Sequence, residues 1–374
     1  MTINVKAQAM DWTARTHELG PQIAAGASDA DETGAFVAEN MRLLKAEGFH
    51  AAAVPAELGG GGASHAELSD MLRALAGYCG STALAFAMHT HAVALPAWRW
   101  RRTPEAVEGL LKRVVAEKLT LISSGGSDWL DGSCQAVPVE GGFRVSGRKI
   151  FASGCELGDL LVTMAVQATP EGPTVLHMAI PLKAEGVTIL DTWRTLGMRG
   201  TGSQDIELKD VLVPDAAVTV RRPSGKWHPL MHMVSMIAFP LIYSVYVGLA
   251  EAARDKAVGL AGRKTSDDLV LIVGEMETEL AAARLALADM VACAADGDPG
   301  AETTNRIFTG RTLAARAAIR TVEKAMEAAG GAGFYRKTGL ERIWRDVQAA
   351  RYHPLQEKTQ ARLAGRVALG LPVD

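Results

Sequence analysis

Eighteen consecutive residues, Met233 to Ala250, carry no charge. A run of that length approaches the roughly 20 residues that a membrane-spanning helix needs. A helix apolar on every side has two stable locations, lipid or the centre of a helical domain. Ser235 and Pro240 interrupt the run, no Lys/Arg cluster flanks it, and the mean hydropathy of the whole chain is only +0.09. The run therefore predicts the central helix of a bundle, with no membrane partner. The N-terminal stretch MTINVKAQAMDWTARTHELG lacks the apolar segment of a secretory signal, which points to a cytoplasmic protein.

Around that helix the pattern changes twice along the 374 residues, a length that favours two or three domains. Residues 1–118 carry helical periodicity. Phe36, Val37, Met41 and Leu44 recur within a helix expected over Asp31–Glu47, and Ser64 with Glu67 gives a capping-box signal for a helix bearing Leu68, Met71, Leu72 and Leu75. Residues 119–225 switch to short alternating segments such as Phe143–Ser146, Leu160–Val166 and Val175–Ile180. Glu140-Gly-Gly, Ser146-Gly and Pro170-Glu-Gly-Pro separate them, which predicts an antiparallel sheet or barrel. Residues 226–374 return to helices. Glu275–Cys293 and Thr312–Ala329 are long and amphipathic, with Asp296-Gly-Asp-Pro-Gly between them, as in a bundle of antiparallel helices. The fold class is α+β, in the order helical, β, helical.

Several function classes fall away. With 39 Lys+Arg against 42 Asp+Glu, net −3, the chain has no basic excess for a nucleic-acid partner. Cys79, Cys134, Cys155 and Cys293 form no CxxC pair, so neither a zinc knuckle nor a disulfide framework is expected. No phosphate loop, no GxGxxG opening a helix and no GxSxG elbow occurs. His228 and His232 are four apart and share a helix face, but no third ligand accompanies them and no metal is expected.

Four blocks remain: Gly48–Gly62 (GFHAAAVPAELGGGG), Val145–Gly154 (VSGRKIFASG), Leu196–Ser203 (LGMRGTGS) followed by Asp210-Val-Leu-Val-Pro, and Gly330-Gly-Ala-Gly-Phe followed by Leu340–Asp346 (LERIWRD). In this order, over nearly the whole length, the chain resembles the acyl-CoA dehydrogenase family of flavoproteins. The resemblance implies an N-terminal helical domain, a middle antiparallel β-barrel and a C-terminal four-helix bundle, with FAD between barrel and bundle in a homotetramer. It implies an acyl-CoA substrate and an electron-transfer flavoprotein as partner. It assigns Phe151 to the flavin wall, Ser153 to the flavin ring, Ser123 or Ser124 to flavin N5, Ser127 to the acyl-CoA, and Gly330 and Gly331 to the FAD pyrophosphate. Arg263 remains from the adenine-side pattern, whose Phe-Gly is replaced here by Ser266-Asp267.

The chain departs from the family where the reaction needs a base. Removing a proton α to a thioester requires a carboxylate, and the usual position, eight residues after the Arg-Asp pair, falls on Pro354. His353 is one short and Glu357, in Glu-Lys-Thr, is three beyond. Glu357 is the first candidate base and His353 the second. The alternative Glu position of some relatives falls on Ala238, and the Arg after it on Phe239. These departures raise a rival within the same fold: a two-component flavin-dependent monooxygenase, supplied with reduced FMN or FAD by a flavin reductase and working through a C4a-hydroperoxide. His89, His91 and His353 are its candidate residues.

Overall fold

The computed structural model describes residues 10–124, 126, 129–262 and 266–373. Six helices come first: α1 (Trp12–Ala25), α2 (Ala27–Thr33), α3 (Ala38–Ala46), α4 (His65–Tyr78), α5 (Gly80–Trp100) and α6 (Glu108–Ala116). The capping box is present at the start of α4, where the Ser64 hydroxyl accepts from the Glu67 N–H and the Glu67 carboxylate accepts from the Ser64 N–H. The single helix expected over Asp31–Glu47 is instead split. Gly34 closes α2 in a left-handed conformation, φ +72°, and the Val37 N–H bonds to Gly200 O across the chain. That long-range bond fixes Phe36–Val37 outside helical geometry, and the local pattern contains no trace of it.

The middle strands are β1 (Leu121–Ser123), β2 (Cys134–Val139), β3 (Gly142–Ala152), β4 (Leu160–Gln167), β5 (Thr174–Pro181), β6 (Val187–Ile189), β7 (Gln204–Pro214) and β8 (Val218–Pro223). They form one sheet in the order β6-β7-β3-β2-β4-β5-β8, and β1 pairs with β4. The expected antiparallel barrel is corrected to a mixed sheet. β1 runs parallel to β4, Leu121 opposite Leu160, and β2 meets β4 in parallel at Gln135 and Val166. Alternation and turn signals reveal strands but not the direction of a partner 39 residues away.

The C-terminal part contains α7 (Pro229–Ala261), α8 (Asp267–Asp296), α9 (Ala301–Ala329), α10 (Leu340–Val347) and α11 (Glu357–Ala368). The uncharged run lies inside α7, and 89% of that helix's apolar window is buried within the protein. α7 packs on α4, α5, α8 and α9, so one core, including Leu72, Phe86, Tyr246 and Phe308, runs through both helical parts. A second core, including Val145, Leu161 and Leu176, lies within the sheet. His228 caps α7 by accepting from the Leu230 N–H, while His232 bonds Thr304 and stacks on Trp227, so these two histidines do separate structural work.

Candidate active site

Between the sheet and the helices opens a cavity of about 830 Å³, within the usual range for sites that take small molecules and cofactors. One wall is aromatic. Phe151 follows a register break in β3 and adopts φ +58°, a left-handed conformation that costs a bulky residue on the order of 1–2 kcal/mol. Its ring is half exposed, faces the cavity and meets Trp193 edge to face at 6.0 Å. Beside it a chain of hydroxyls supplies a polar edge. Thr201 donates to Met198 O (2.9 Å), Ser203 Oγ lies 2.6 Å from Thr201 Oγ1, and Ser153 Oγ lies 2.7 Å from Ser203 Oγ. Ser123 and Ser124 also line the cavity, the latter bonded to Thr163 at 2.7 Å. An aromatic wall with hydroxyls beside it fits the chemistry of a flavin ring.

The histidines divide by helix geometry, because residues two apart on a helix point to different sides. His91 lines the cavity, with Nε2 3.1 Å from Ser123 Oγ. His89 is turned away and buried. Its Nε2 donates to His50 O (2.8 Å) and its Nδ1 accepts from the Leu121 N–H (3.0 Å), joining α5 to β1. His89 therefore leaves the list of site candidates. Burial pushes both imidazoles down to about 4, so both are neutral near pH 7.

His353 faces the same cavity, with Nε2 2.6 Å from the Tyr246 hydroxyl. Burial, then the nearby Arg311 guanidinium, push His353 down to about 3. Burial raises the Tyr246 phenol well above its usual value, which keeps it a donor. Arg311, 1% exposed, fastens the turn that carries His353. Its Nη2 donates to the carbonyls of Ala350 (3.1 Å), Arg351 (3.2 Å) and His353 (2.7 Å).

Other sequence candidates lie elsewhere. Glu357 opens α11 and its carboxylate pairs with Arg316 at the surface; this ion pair holds its pKa below the usual range. It is not part of the cavity wall, so the reading of Glu357 as the base in contact with substrate is corrected. Its position in sequence resembled the family pattern, but α11 begins there and directs it towards α9. Gly330 and Gly331 are exposed at the end of α9, where Gly330, φ +57°, acts as the helix cap. Neither lines the cavity. Ser127 and Arg263 lie outside the described residues. Ala238 and Phe239 both form apolar wall, and among the described residues no Asp or Glu lines the cavity.

Tyr246, Trp193 and Arg311 were not found by sequence reasoning. Tyr246 and His353 are 107 positions apart, and nothing local announces such a pair. Ser203 had a signal, since it ends the LGMRGTGS block.

Known proteins resemble the chain over nearly its whole length. The acyl-CoA dehydrogenase N-terminal domain matches residues 17–117, the middle domain residues 123–211 and the C-terminal domain residues 241–357. YdbM of Bacillus subtilis, by name an acyl-CoA dehydrogenase, is 27% identical over 372 residues, 93% of each protein. L-evernosamine nitrososynthase of a Micromonospora species is 28% identical, covering 88% of this chain and 82% of that protein. KijD3, solved in complex with FMN and a dTDP-linked amino-keto sugar, superposes with a TM-score of 0.88 at 27% identity, over 98% of this chain and 96% of that one. Four ordered sequence blocks, a cavity between sheet and helices, and matches across all three domains establish that the chain belongs to the acyl-CoA dehydrogenase family of flavoproteins.

Proposed function

We propose that the protein is a flavin-dependent monooxygenase of the two-component type, using reduced FMN delivered by a separate flavin reductase. The observation that carries this reading is the cavity wall, which among the described residues has no carboxylate and includes three histidines, two of which, His91 and His353, are held neutral by burial while His177 accepts from Arg222. Abstraction of a proton α to a thioester needs a positioned base able to hold the proton; burial makes the His91 and His353 imidazoles weak bases, and Glu357 is committed to Arg316. The expectations of an acyl-CoA substrate, FAD and an electron-transfer flavoprotein give way accordingly. The nitrososynthase relative and the FMN held by KijD3 point the same way.

Bound reduced flavin would supply the activation of dioxygen. Phe151 and Trp193 would wall the ring, and the hydroxyls of Ser153 and Ser203 would meet its polar edge. Tyr246, donating to Nε2 of His353, would leave the ring's hydrogen on Nδ1 as the donor of the neutral imidazole. A neutral imidazole donates one hydrogen bond without burying a net charge. His91, 3.1 Å from the Ser123 hydroxyl, is another neutral imidazole in the wall, and its burial makes it a hydrogen-bonding partner for substrate rather than a proton acceptor. The apolar remainder of the wall excludes water from the reacting centre.

The test is rapid mixing of the protein, loaded with photoreduced FMN, with oxygenated buffer. A transient near-ultraviolet absorbance distinct from both reduced and oxidised flavin is expected, with tighter binding of reduced than of oxidised FMN. Direct conversion to oxidised flavin, together with anaerobic bleaching by acyl-CoAs, would reverse the assignment to dehydrogenation.

A further inference from the structure

The charged groups in the cavity wall do not balance. Arg345, one of the two arginines that line it, is committed to Asp31 and Glu341. The other, Arg99, makes no ion pair among the described residues, and no carboxylate lines the same wall. Arg99 sits in the last turn of α5, where a cation gains something from the helix dipole. That gain accounts equally well for Arg101 and Arg102 just beyond, and Arg102 already stacks on Trp98. It does not explain a half-buried arginine in the wall of a largely apolar cavity.

The position of Arg99 is informative. α5 contributes Leu84, Met88, His91 and, in its last turn, Arg99 to the cavity wall. Eight residues of helix separate His91 from Arg99, a rise of about 12 Å. A ligand whose reacting atom lies at His91 and His353 therefore reaches Arg99 with its far end, past apolar side chains such as Leu95 and Leu110. An unpaired guanidinium there matches a carboxylate, sulfonate or phosphate through charge-assisted hydrogen bonds.

We propose that Arg99 is the specificity-determining anchor for an anionic group on the substrate, and that the substrate is an apolar compound with that group at the end away from the site of oxidation. This rests on the monooxygenase reading of the cavity, but its test needs no oxygen. Calorimetry on the FMN-loaded protein compares indole-3-butyrate with indole-3-butyramide, which match in shape and differ in charge. The acid is expected to bind about tenfold more tightly at low salt. Arg99→Gln should abolish the preference, and Arg99→Lys should retain part of it. Equal binding of the two probes by the unaltered protein, or a preference that survives Arg99→Gln, would overturn the proposal. The same charge could instead serve the flavin phosphate, so FMN and riboflavin affinities are measured for each variant. Loss of FMN affinity with riboflavin affinity unchanged would assign Arg99 to the cofactor and also overturn it. Failure of the oxygen experiment with the acid preference intact would remove the oxygenase reading and leave the anchor standing.

Discussion

At His353 a single hydroxyl sets the proton inventory. Tyr246 is buried and its phenol stays protonated, so its 2.6 Å contact with Nε2 fixes which ring nitrogen keeps the hydrogen. Tyr246→Phe removes that donor and leaves the imidazole free to adopt the other tautomer. One such hydrogen bond contributes about 1–1.5 kcal/mol, so oxygenated product per turnover should fall roughly five- to tenfold. Reduced-FMN affinity should be unchanged, because Tyr246 is not part of the cavity wall. Comparing product yield with flavin consumed reads this out directly, and unaltered coupling would remove Tyr246 from the mechanism. His353 itself was legible in the sequence only as a near miss beside Pro354. Its selection over Glu357 depends on where α11 begins, a tertiary fact.

Among the elements, α7 and α4 come unusually close. A Cβ on Gly248 would sit 2.3 Å from Arg73 O and 2.9 Å from the Ala76 side chain. In an exposed helix, Gly→Ala stabilises by about 0.5–1 kcal/mol. Here the sign reverses, because overpacking a closed interface costs about 1–3 kcal/mol. Gly248→Ala should therefore lower the urea midpoint; an unchanged or higher midpoint would mean that the two helices can separate freely. The uncharged run announced α7 as a central helix because a continuous apolar surface must be buried, and that requirement is local. The split at Gly34–Val37 and the parallel pairing of β1 with β4 were not announced, because each is imposed by a partner distant in the chain: Gly200 in one case, Leu160–Val162 in the other. The cavity wall was half legible. Phe151 and Ser153 belong to a contiguous motif, whereas Trp193 reaches them from another loop.

For the molecule as a whole, buried ionisable groups set an acid limit. His89, His91 and His353 are held at about 4, 4 and 3, below the ordinary 6.5. Below pH 6.5 the unfolded chain takes up protons that the folded chain refuses, so stability falls on acidification, by up to about 1.4 kcal/mol per pH unit for each such group. Asp346 opposes them. Burial raises it from 3.8 to about 6, so between those values the folded chain binds the extra proton and acid adds stability. The histidines outnumber it, and the urea midpoint should drop between pH 7 and 5. Asp346→Asn removes the opposing contribution and should steepen the drop; a shallower drop would contradict these assignments. The Arg311 clamp has a different kind of consequence. It grips residues 350–353 by their carbonyls, which every amino acid possesses. The turn is thus held in place whatever side chains it displays, and substitutions at 353 alter the chemistry offered to the cavity without loosening its mount. A turn fastened through its main chain lets residue 353 be exchanged alone, so that what its side chain supplies can be measured apart from what holds it.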